Sequence, residues 1–181
     1  MSVCVVSFSS RKDGNCSKIS EYICSTLPDV KQYNFSNFTI SPCGKCNYQC
    51  FLSGDKCPYY DDIERELLDS ITHSELTYFI VPNYCDYPCS NFFIFNERSV
   101  CYFQNNPKLL NDYLQAPKKF IVVSNSDTNN FVTAFSYQVL DEPKTLLLSA
   151  KKYNKNSIDG DLLTSEQAVA KLQHFLAEHN T

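Results

Sequence analysis

Five short apolar runs, rich in β-branched residues, alternate along this chain with segments whose apolar residues recur at helical spacing. These runs are predicted to be strands, at residues 3–8, 30–35, 76–81, 120–123 and 145–150. Strands that are apolar throughout and separated by helices are typical of a parallel sheet covered by helices on both faces. The sequence therefore predicts one α/β domain over residues 1–181 with a five-stranded parallel sheet.

Helices are predicted between these strands and after the last one. They include residues 19–27, 61–71, 92–100, 107–115 and 130–140, and a final helix begins near Thr164. Asp61, Asp62 and Glu64 lie in the first turn of the second helix, where the helix dipole favours negative charge. Thr164 and Gln167 have capping-box spacing, which predicts Thr164 as the N-cap of the final helix.

Composition and charge narrow the class of protein. A hydrophobic fraction of 43% with 20% charged residues is typical of a globular chain. The balance of 16 basic and 20 acidic residues provides no basic surface for nucleic acid or anionic lipid. No apolar run approaches the ~20 residues that span a bilayer, and the amino terminus has no secretory signal pattern. We expect a cytoplasmic protein with neither nucleic-acid nor membrane partners.

The residues after the first strand predict a phosphate site. Open parallel sheets bind ligands at the carboxyl ends of their strands, and residues 9–17 connect the first strand directly to the first helix. Free N–H groups at a helix start bind phosphate, and Ser9, Arg11, Asn15 and Ser17 could add side-chain donors. The alternative is an ordinary strand–helix turn with Asn15 as the helix cap. Neither a Walker loop nor a G-x-G-x-x-G pattern is present.

The cysteines are unusually dense in one segment. The chain has ten, and four of them follow the pattern Cys43-x2-Cys46-x3-Cys50-x6-Cys57 inside residues 36–58, which have no regular period. A long connection without secondary structure usually carries a function. Three interpretations stay open: an iron–sulfur cluster, a structural zinc, or thiols that bind no metal and pack against a neighbouring site.

A resemblance to a known family covers roughly the first hundred residues. The segment Ser9-Ser10-Arg11-Lys12-Asp13-Gly14-Asn15-Cys16 resembles the S-x-R-x-x-G-N-T loop of the flavodoxin-like NAD(P)H-dependent FMN reductases, which include the iron–sulfur flavoproteins. Later segments resemble that family in the same order: Cys43-Gly44-Lys45-Cys46, Cys57-Pro58 with Asp61-Asp62, Pro82-Asn83-Tyr84, and Glu97-Arg98. Two positions depart from it, because Cys16 replaces the usual Thr and Asn83 replaces Val or Ile.

The resemblance implies a flavodoxin-like three-layer sandwich with strand order 2-1-3-4-5 and a bound FMN. The implied phosphate contacts are Ser9, Arg11, Asn15, Cys16 and Ser17. The implied contacts of the flavin ring are Pro82, Asn83, Tyr84 and Cys85, with Ser124 as a further contact. By the same resemblance, Cys43, Cys46, Cys50 and Cys57 would hold a [4Fe–4S] cluster, although this chain has one residue more than usual before Cys50.

The predicted function is that of an FMN-dependent NAD(P)H oxidoreductase. Electrons would pass from the nicotinamide nucleotide through flavin to a small-molecule or protein acceptor. The resemblance also implies a homodimer or homotetramer. No catalytic acid–base residue is predicted, since His73, His174 and His179 lie in helical or terminal contexts that face solvent. The alternatives are a non-enzymatic electron carrier between protein partners, and a zinc-containing binding domain that has lost flavin.

Overall fold

A computed structural model describes residues 2–44, 46–49, 57–59, 61–104, 106–127 and 130–178. The strands are β1 Val3–Ser7, β2 Val30–Asn34, β3 Leu76–Tyr84, β4 Tyr87–Pro88, β5 Lys118–Ser124 and β6 Lys144–Ser149. The five long strands are parallel and run in the order β2-β1-β3-β5-β6. The predicted sheet and its strand order are confirmed, and the two-residue β4, which pairs antiparallel with the end of β3, is an addition.

Among the described residues, six α-helices cover the two faces of this sheet. They are α1 Asn15–Thr26, α2 Glu64–His73, α3 Ser90–Phe103, α4 Pro107–Gln115, α5 Phe131–Ser136 and α6 Glu166–Ala177, with short 3₁₀ helices at Ala150–Tyr153 and Leu162–Thr164. One apolar core lies between the sheet and α2, α3, α4 and α5, and the other lies between the sheet and α1 and α6. Side chains of β1 alternate between the two cores, as the pleat of a strand requires. None of the described helices is both long and apolar enough to cross a lipid bilayer.

Aromatic packing fixes the end of β1. The Phe8 ring, fully buried one residue after β1, packs against Phe35, Phe79, Phe92 and Phe95 with ring centroids 5.0–5.6 Å apart. Such tilted and edge-to-face contacts each add to the energy of burial. The loop that follows Phe8 therefore starts from a rigid base shared by two strands and α3.

The third strand is longer than its apolar pattern predicts. Beyond Pro82, which is still in parallel register with β5, the strand continues to Tyr84 and pairs with β4. Cys85 and Asp86 form the connection and have φ of 53° and 67°. Two consecutive positive φ values are typical of the primed turns that close two-residue hairpins. The predicted loop after residue 82 is therefore a hairpin, and the pattern missed it because its short strands carry no apolar alternation.

Two helix ends also differ from prediction. The N-cap of α6 is Ser165, whose hydroxyl accepts from Ala168 N at 3.4 Å. The predicted cap, Thr164, ends the preceding 3₁₀ helix instead and donates its hydroxyl proton to Asp161 O. The predicted helix over 130–140 ends at Ser136 in the structure.

Candidate functional site

The ends of β3 and β5 and the connections after β1 and β6 meet at the carboxyl edge of the sheet and surround a small depression with a cavity volume of about 30 Å³. Its lining residues are Ser9, Arg11, Gly14, Asn15, Cys16, Pro82, Asn83, Tyr84, Val123, Ser157 and Ile158. The structure thus brings four of the predicted phosphate contacts together with Pro82, Asn83 and Tyr84 of the predicted ring contacts, whereas Ser17, Cys85 and Ser124 are not among the described lining residues. A volume of this size holds a small polar group but does not enclose a nucleotide.

The connection from β1 to α1 uses its own hydroxyls to keep its shape. Ser9 Oγ accepts from Arg11 N at 3.2 Å, and Ser17 Oγ donates to Arg11 O at 2.7 Å. The N-cap position belongs to Gly14, no side chain of the described residues caps the helix there, and its first turn carries no acidic residue. The amino end of α1 is therefore open to an anion, and the exposed Arg11 guanidinium adds a positive charge beside it.

Asn15 has a bracing role in the structure. Its amide nitrogen donates to Asn156 O at 3.3 Å and Ser157 O at 2.9 Å, and its oxygen accepts from Leu162 N at 2.9 Å. Both ends of the side chain are thus bonded within the protein, to the connection after β6. The alternative in which Asn15 caps α1 is wrong, since it is the first helical residue and Gly14 precedes it as cap.

The connection after β6 closes one side of the depression. Lys18 Nζ donates to Gly160 O at 2.6 Å. Gly160 has a φ of 72°, and a Cβ there would lie 2.4 Å from Asp13 O, so any larger residue would push this segment away. Ser157 and Ile158, which line the depression, were missed in the sequence. The rule that ligands bind at strand ends could have included them, because they follow the fifth long strand.

Cys16 contributes its backbone to this edge and its side chain to the core. The side chain is 3% exposed and belongs to the core beneath α1. Burial raises the pKa of the Cys16 thiol well above its usual range, so this sulfur stays protonated.

The end of β3 carries a buried acceptor that lacks a donor. Asn83 Nδ2 donates to Ser124 Oγ at 2.8 Å, which joins two of the predicted ring contacts across neighbouring strands. Asn83 Oδ1 is buried and has no hydrogen-bond partner among the described residues. Tyr84 and Tyr87 are each 56% exposed and face each other across the hairpin, while Cys85 is exposed at its turn. This side of the depression is therefore open and aromatic.

The predicted metal ligands are only partly brought together. Cys50 lies outside the described residues, and the described part of the chain holds no group of three or more His, Cys, Asp or Glu side chains arranged for a metal ion. Cys57 Sγ lies 3.9 Å from Arg98 Nη2, whereas the Cys43 thiol lies beside those of Cys46 and Cys101. Cys43 and Cys46 therefore lie together, whereas Cys57 lies beside Arg98.

Both ends of the cysteine-rich segment are fastened to α3 by Arg98, a residue whose side chain is completely buried. Its guanidinium donates to Ser41 O at 2.9 Å, within residues 36–58 but before the first of the four cysteines. It also donates to Tyr59 O at 3.4 Å and Asp62 Oδ2 at 2.7 Å, after the last of them. A buried guanidinium is stable only when it is paired and hydrogen-bonded. Arg98 is therefore a structural cation, and the carboxylate of Asp62 compensates its charge.

Glu64 also differs from its prediction. It begins α2, but its side chain is buried and accepts from Ser99 Oγ at 2.7 Å on α3. Burial raises its pKa to about 8, so at neutral pH it is mostly protonated. An uncharged carboxyl does not contribute the negative charge at the helix start that the sequence predicted.

A larger cavity of about 680 Å³ lies between α3, α4 and α5, on one face of the sheet. Its walls are mainly apolar and include Phe93, Phe103 and Leu110. Its described lining shares no residue with that of the depression. It is therefore separate from the candidate site.

Comparisons with known proteins identify the fold. No protein-family model matches the chain, and no curated protein matches its sequence. A Trp repressor binding protein from Bacillus subtilis matches at a TM-score of 0.65 and 13% identity, over 99% of both chains. A flavone reductase matches with a TM-score of 0.57 and 14% sequence identity, over all of this chain and 65% of the reductase chain. An NAD(P)H:(acceptor) oxidoreductase from Paracoccus denitrificans matches with a TM-score of 0.51 and 16% sequence identity, over 97% of this chain and 95% of the oxidoreductase chain. Together with the strand order, these likenesses show that this chain has the flavodoxin-like α/β fold.

Proposed function

We propose that this protein binds FMN at the carboxyl edge of its sheet and acts as a flavin-dependent oxidoreductase that is reduced by NADH or NADPH. Two structures that share its fold are described as a flavone reductase and an NAD(P)H:(acceptor) oxidoreductase. The motif order of the first hundred residues or so, which resembles that of FMN reductases, supports the same proposal.

The open amino end of α1 beside Arg11 is the observation that carries the proposal. Backbone N–H groups at the start of a helix bind phosphate without needing a strongly basic protein. The small volume of the depression suits a phosphoryl group, and Ser9 and Ser17 keep the loop in shape around it. The residues present therefore fit the phosphate end of FMN.

The flavin ring would lie outside the depression, against the exposed hairpin of Tyr84 and Tyr87. Asn83 Oδ1 would accept a hydrogen bond from the ligand, which would remove its unpaired state. When bound, FMN supplies the hydride and electron transfer, so the protein needs only to hold and orient it. The described histidines agree with this, because His73 and His174 are exposed and lie beside Asp69 and Glu178 on helix surfaces.

Two measurements test this function. Titration of the purified protein with FMN, followed by flavin fluorescence, measures binding. Steady-state oxidation of NADH or NADPH with a quinone acceptor then measures turnover. Binding with turnover is the expected result. Binding without turnover would instead favour the electron carrier, and failure to bind FMN would overturn the proposal.

The iron–sulfur cluster stays a prediction. Its proposed ligands are Cys43, Cys46, Cys50 and Cys57, and the register before Cys50 is the feature that a cluster must accommodate. Iron and acid-labile sulfide analysis of anaerobically purified protein measures it directly. Stoichiometric zinc in colourless protein would favour the third interpretation, a zinc-binding domain without flavin.

We also propose that the chain forms a homodimer or homotetramer through the face around the 680 Å³ cavity. Phe93, Val100 and Tyr137 are exposed there, and contiguous exposed apolar side chains mark interaction surfaces. Light scattering after size exclusion measures the oligomer, and Tyr137→Lys is expected to reduce its mass. A wild-type protein that elutes as a monomer would contradict this proposal.

A further inference from the structure

The start of the cysteine-rich segment runs along α3. Ser41 O accepts from Arg98 Nη1 at 2.9 Å, and Cys43 N donates to Glu97 Oε2 at 3.3 Å. Glu97 and Cys101 are four residues apart on the same helix and therefore lie on one face, one turn from each other. These two anchors place Cys43 over the helix surface that carries Cys101.

The thiols in this position contact one another. The Cys43 thiol lies beside the thiols of Cys101 and Cys46, as the bond from Cys43 N to Glu97, one helical turn before Cys101, requires. Cys101 is 5% exposed, whereas Cys43 and Cys46 are half-buried and reach solvent. All three are reduced in the structure. An oxidant from solvent therefore reaches Cys43 first or Cys46 first, and Cys101 lies directly behind Cys43.

We propose that Cys43 and Cys101 form an oxidant-induced disulfide that fastens the cysteine-rich segment covalently to α3. With hydrogen peroxide as oxidant, the Cys43 sulfur attacks the O–O bond, which gives a sulfenic acid and releases water after proton transfer. The Cys101 sulfur then displaces the sulfenic oxygen as a second water. The two thiols lose two electrons and two protons, and one peroxide is reduced to two waters.

Cys101 is a better partner for Cys43 than Cys46 because both members of the pair are already held in place. Cys101 is fixed in a helix, and Cys43 is fixed by its own backbone bond to Glu97 and by the neighbouring contact of Arg98 with Ser41. Groups that are held in position before they react lose less conformational entropy when they join. This inference does not depend on whether the protein binds flavin, but it applies to protein without a cluster, because a Cys43 sulfur that ligates iron cannot form a disulfide.

Trypsin separates the three cysteines, so peptide mapping identifies the bond. Cleavage after lysine and arginine places Cys43 in residues 32–45, Cys46 in residues 46–56 and Cys101 in residues 99–108. The full-length protein is reduced, treated with hydrogen peroxide, alkylated and digested without reductant. The expected product is a linked pair of residues 32–45 and 99–108 that disappears on reduction.

Three variants make the result decisive. Cys101→Ser should abolish the linked pair, whereas Cys46→Ser should keep it. Cys24→Ser, which changes a half-buried thiol on α1, is the matched control and should also keep it. Oxidation should raise the melting temperature of the wild type and leave that of Cys101→Ser unchanged.

Two results would overturn the proposal. One is a link from residues 32–45 to residues 46–56, which contain Cys46 and Cys50, and the other is Cys43 oxidised to sulfinic acid without any link to Cys101. If Cys101→Ser does not fold, iodoacetamide labelling of Cys101 in wild-type protein that is denatured after the peroxide treatment replaces it. That labelling should be lost in step with peroxide treatment, and unchanged labelling would sink the inference.

Discussion

Two regions of this molecule hold their loops by opposite means. The depression at the carboxyl edge of the sheet is shaped by backbone groups, hydroxyls and the glycine at position 160, and Arg11, the cation among the described residues that line it, is exposed. The cysteine-rich segment is instead fastened to α3 by the buried Arg98, and the adjacent α2 by the buried Glu64. The Arg11 charge is exposed and can bind a ligand, whereas the Arg98 charge is buried and paired with Asp62 within the protein.

The largest effect is expected when the buried cation is removed. Arg98→Met keeps much of the side-chain volume but removes the guanidinium that donates to Asp62 Oδ2, Ser41 O and Tyr59 O. Breaking a buried ion pair typically costs at least about 3 kcal/mol, so the free energy of unfolding should fall by that amount. Urea denaturation measures it, and Lys12→Met is the control at an exposed position. Equal stability of the two variants would refute the role assigned to Arg98.

The second effect is a pH dependence of the free energy of unfolding, which we attribute to Glu64. Its pKa is raised from 4.5 to about 8, chiefly by burial, so the folded protein keeps a proton that the unfolded chain releases between those values. The free energy of unfolding should therefore fall as pH rises, by up to about 1.4 kcal/mol per unit. Between about pH 5 and pH 7 the loss should reach about 2 kcal/mol and should be absent in Glu64→Gln.

Titration of Lys118 sets the upper pH limit of the Glu64 experiment. Burial lowers its pKa from 10.5 to about 7, so above pH 7 the unfolded chain binds the extra proton and stability rises with pH. Denaturation curves below pH 7 therefore isolate Glu64. Glu166→Gln, at an exposed position, is the control and should keep the wild-type slope. A wild-type slope in Glu64→Gln would show that this carboxyl titrates normally.

The same contrast explains what the sequence could predict. Apolar runs predicted all five long strands, and the rule for parallel sheets predicted that the connections after β1, β3 and β5 would meet. The contacts of Arg98, Glu64 and Cys101 escaped, because each joins residues that are far apart in sequence and depends on burial rather than on periodicity. Glu64 illustrates this, since its place at a helix start predicted an exposed charge and its contact with Ser99 on α3 makes it a buried acid.

A smaller effect, on binding alone, is expected at the exposed cation. Arg11→Ala should weaken FMN binding about tenfold, as expected for the loss of a charge-assisted contact to phosphate. Riboflavin has no phosphate, so its affinity should not change. Flavin fluorescence titration measures both, and Lys12→Ala, the neighbouring exposed cation, should leave both affinities near the wild-type values. A parallel loss for riboflavin would mean that Arg11 acts on the ring or the fold instead of the phosphate.

The smallest effect is expected at Asn83, because one end of its amide is bonded within the protein and the other end is unpaired among the described residues. Its Nδ2 is committed to Ser124 Oγ, and its Oδ1 is left for a ligand. Asn83→Val removes one hydrogen bond and one unpaired buried acceptor together, so the stability of the flavin-free protein should change little. Affinity should fall about threefold for FMN and riboflavin alike, because the acceptor would contact a part that both flavins share. Unchanged affinity for both flavins would show that Oδ1 is not a ligand contact, and a loss confined to FMN would place it at the phosphate.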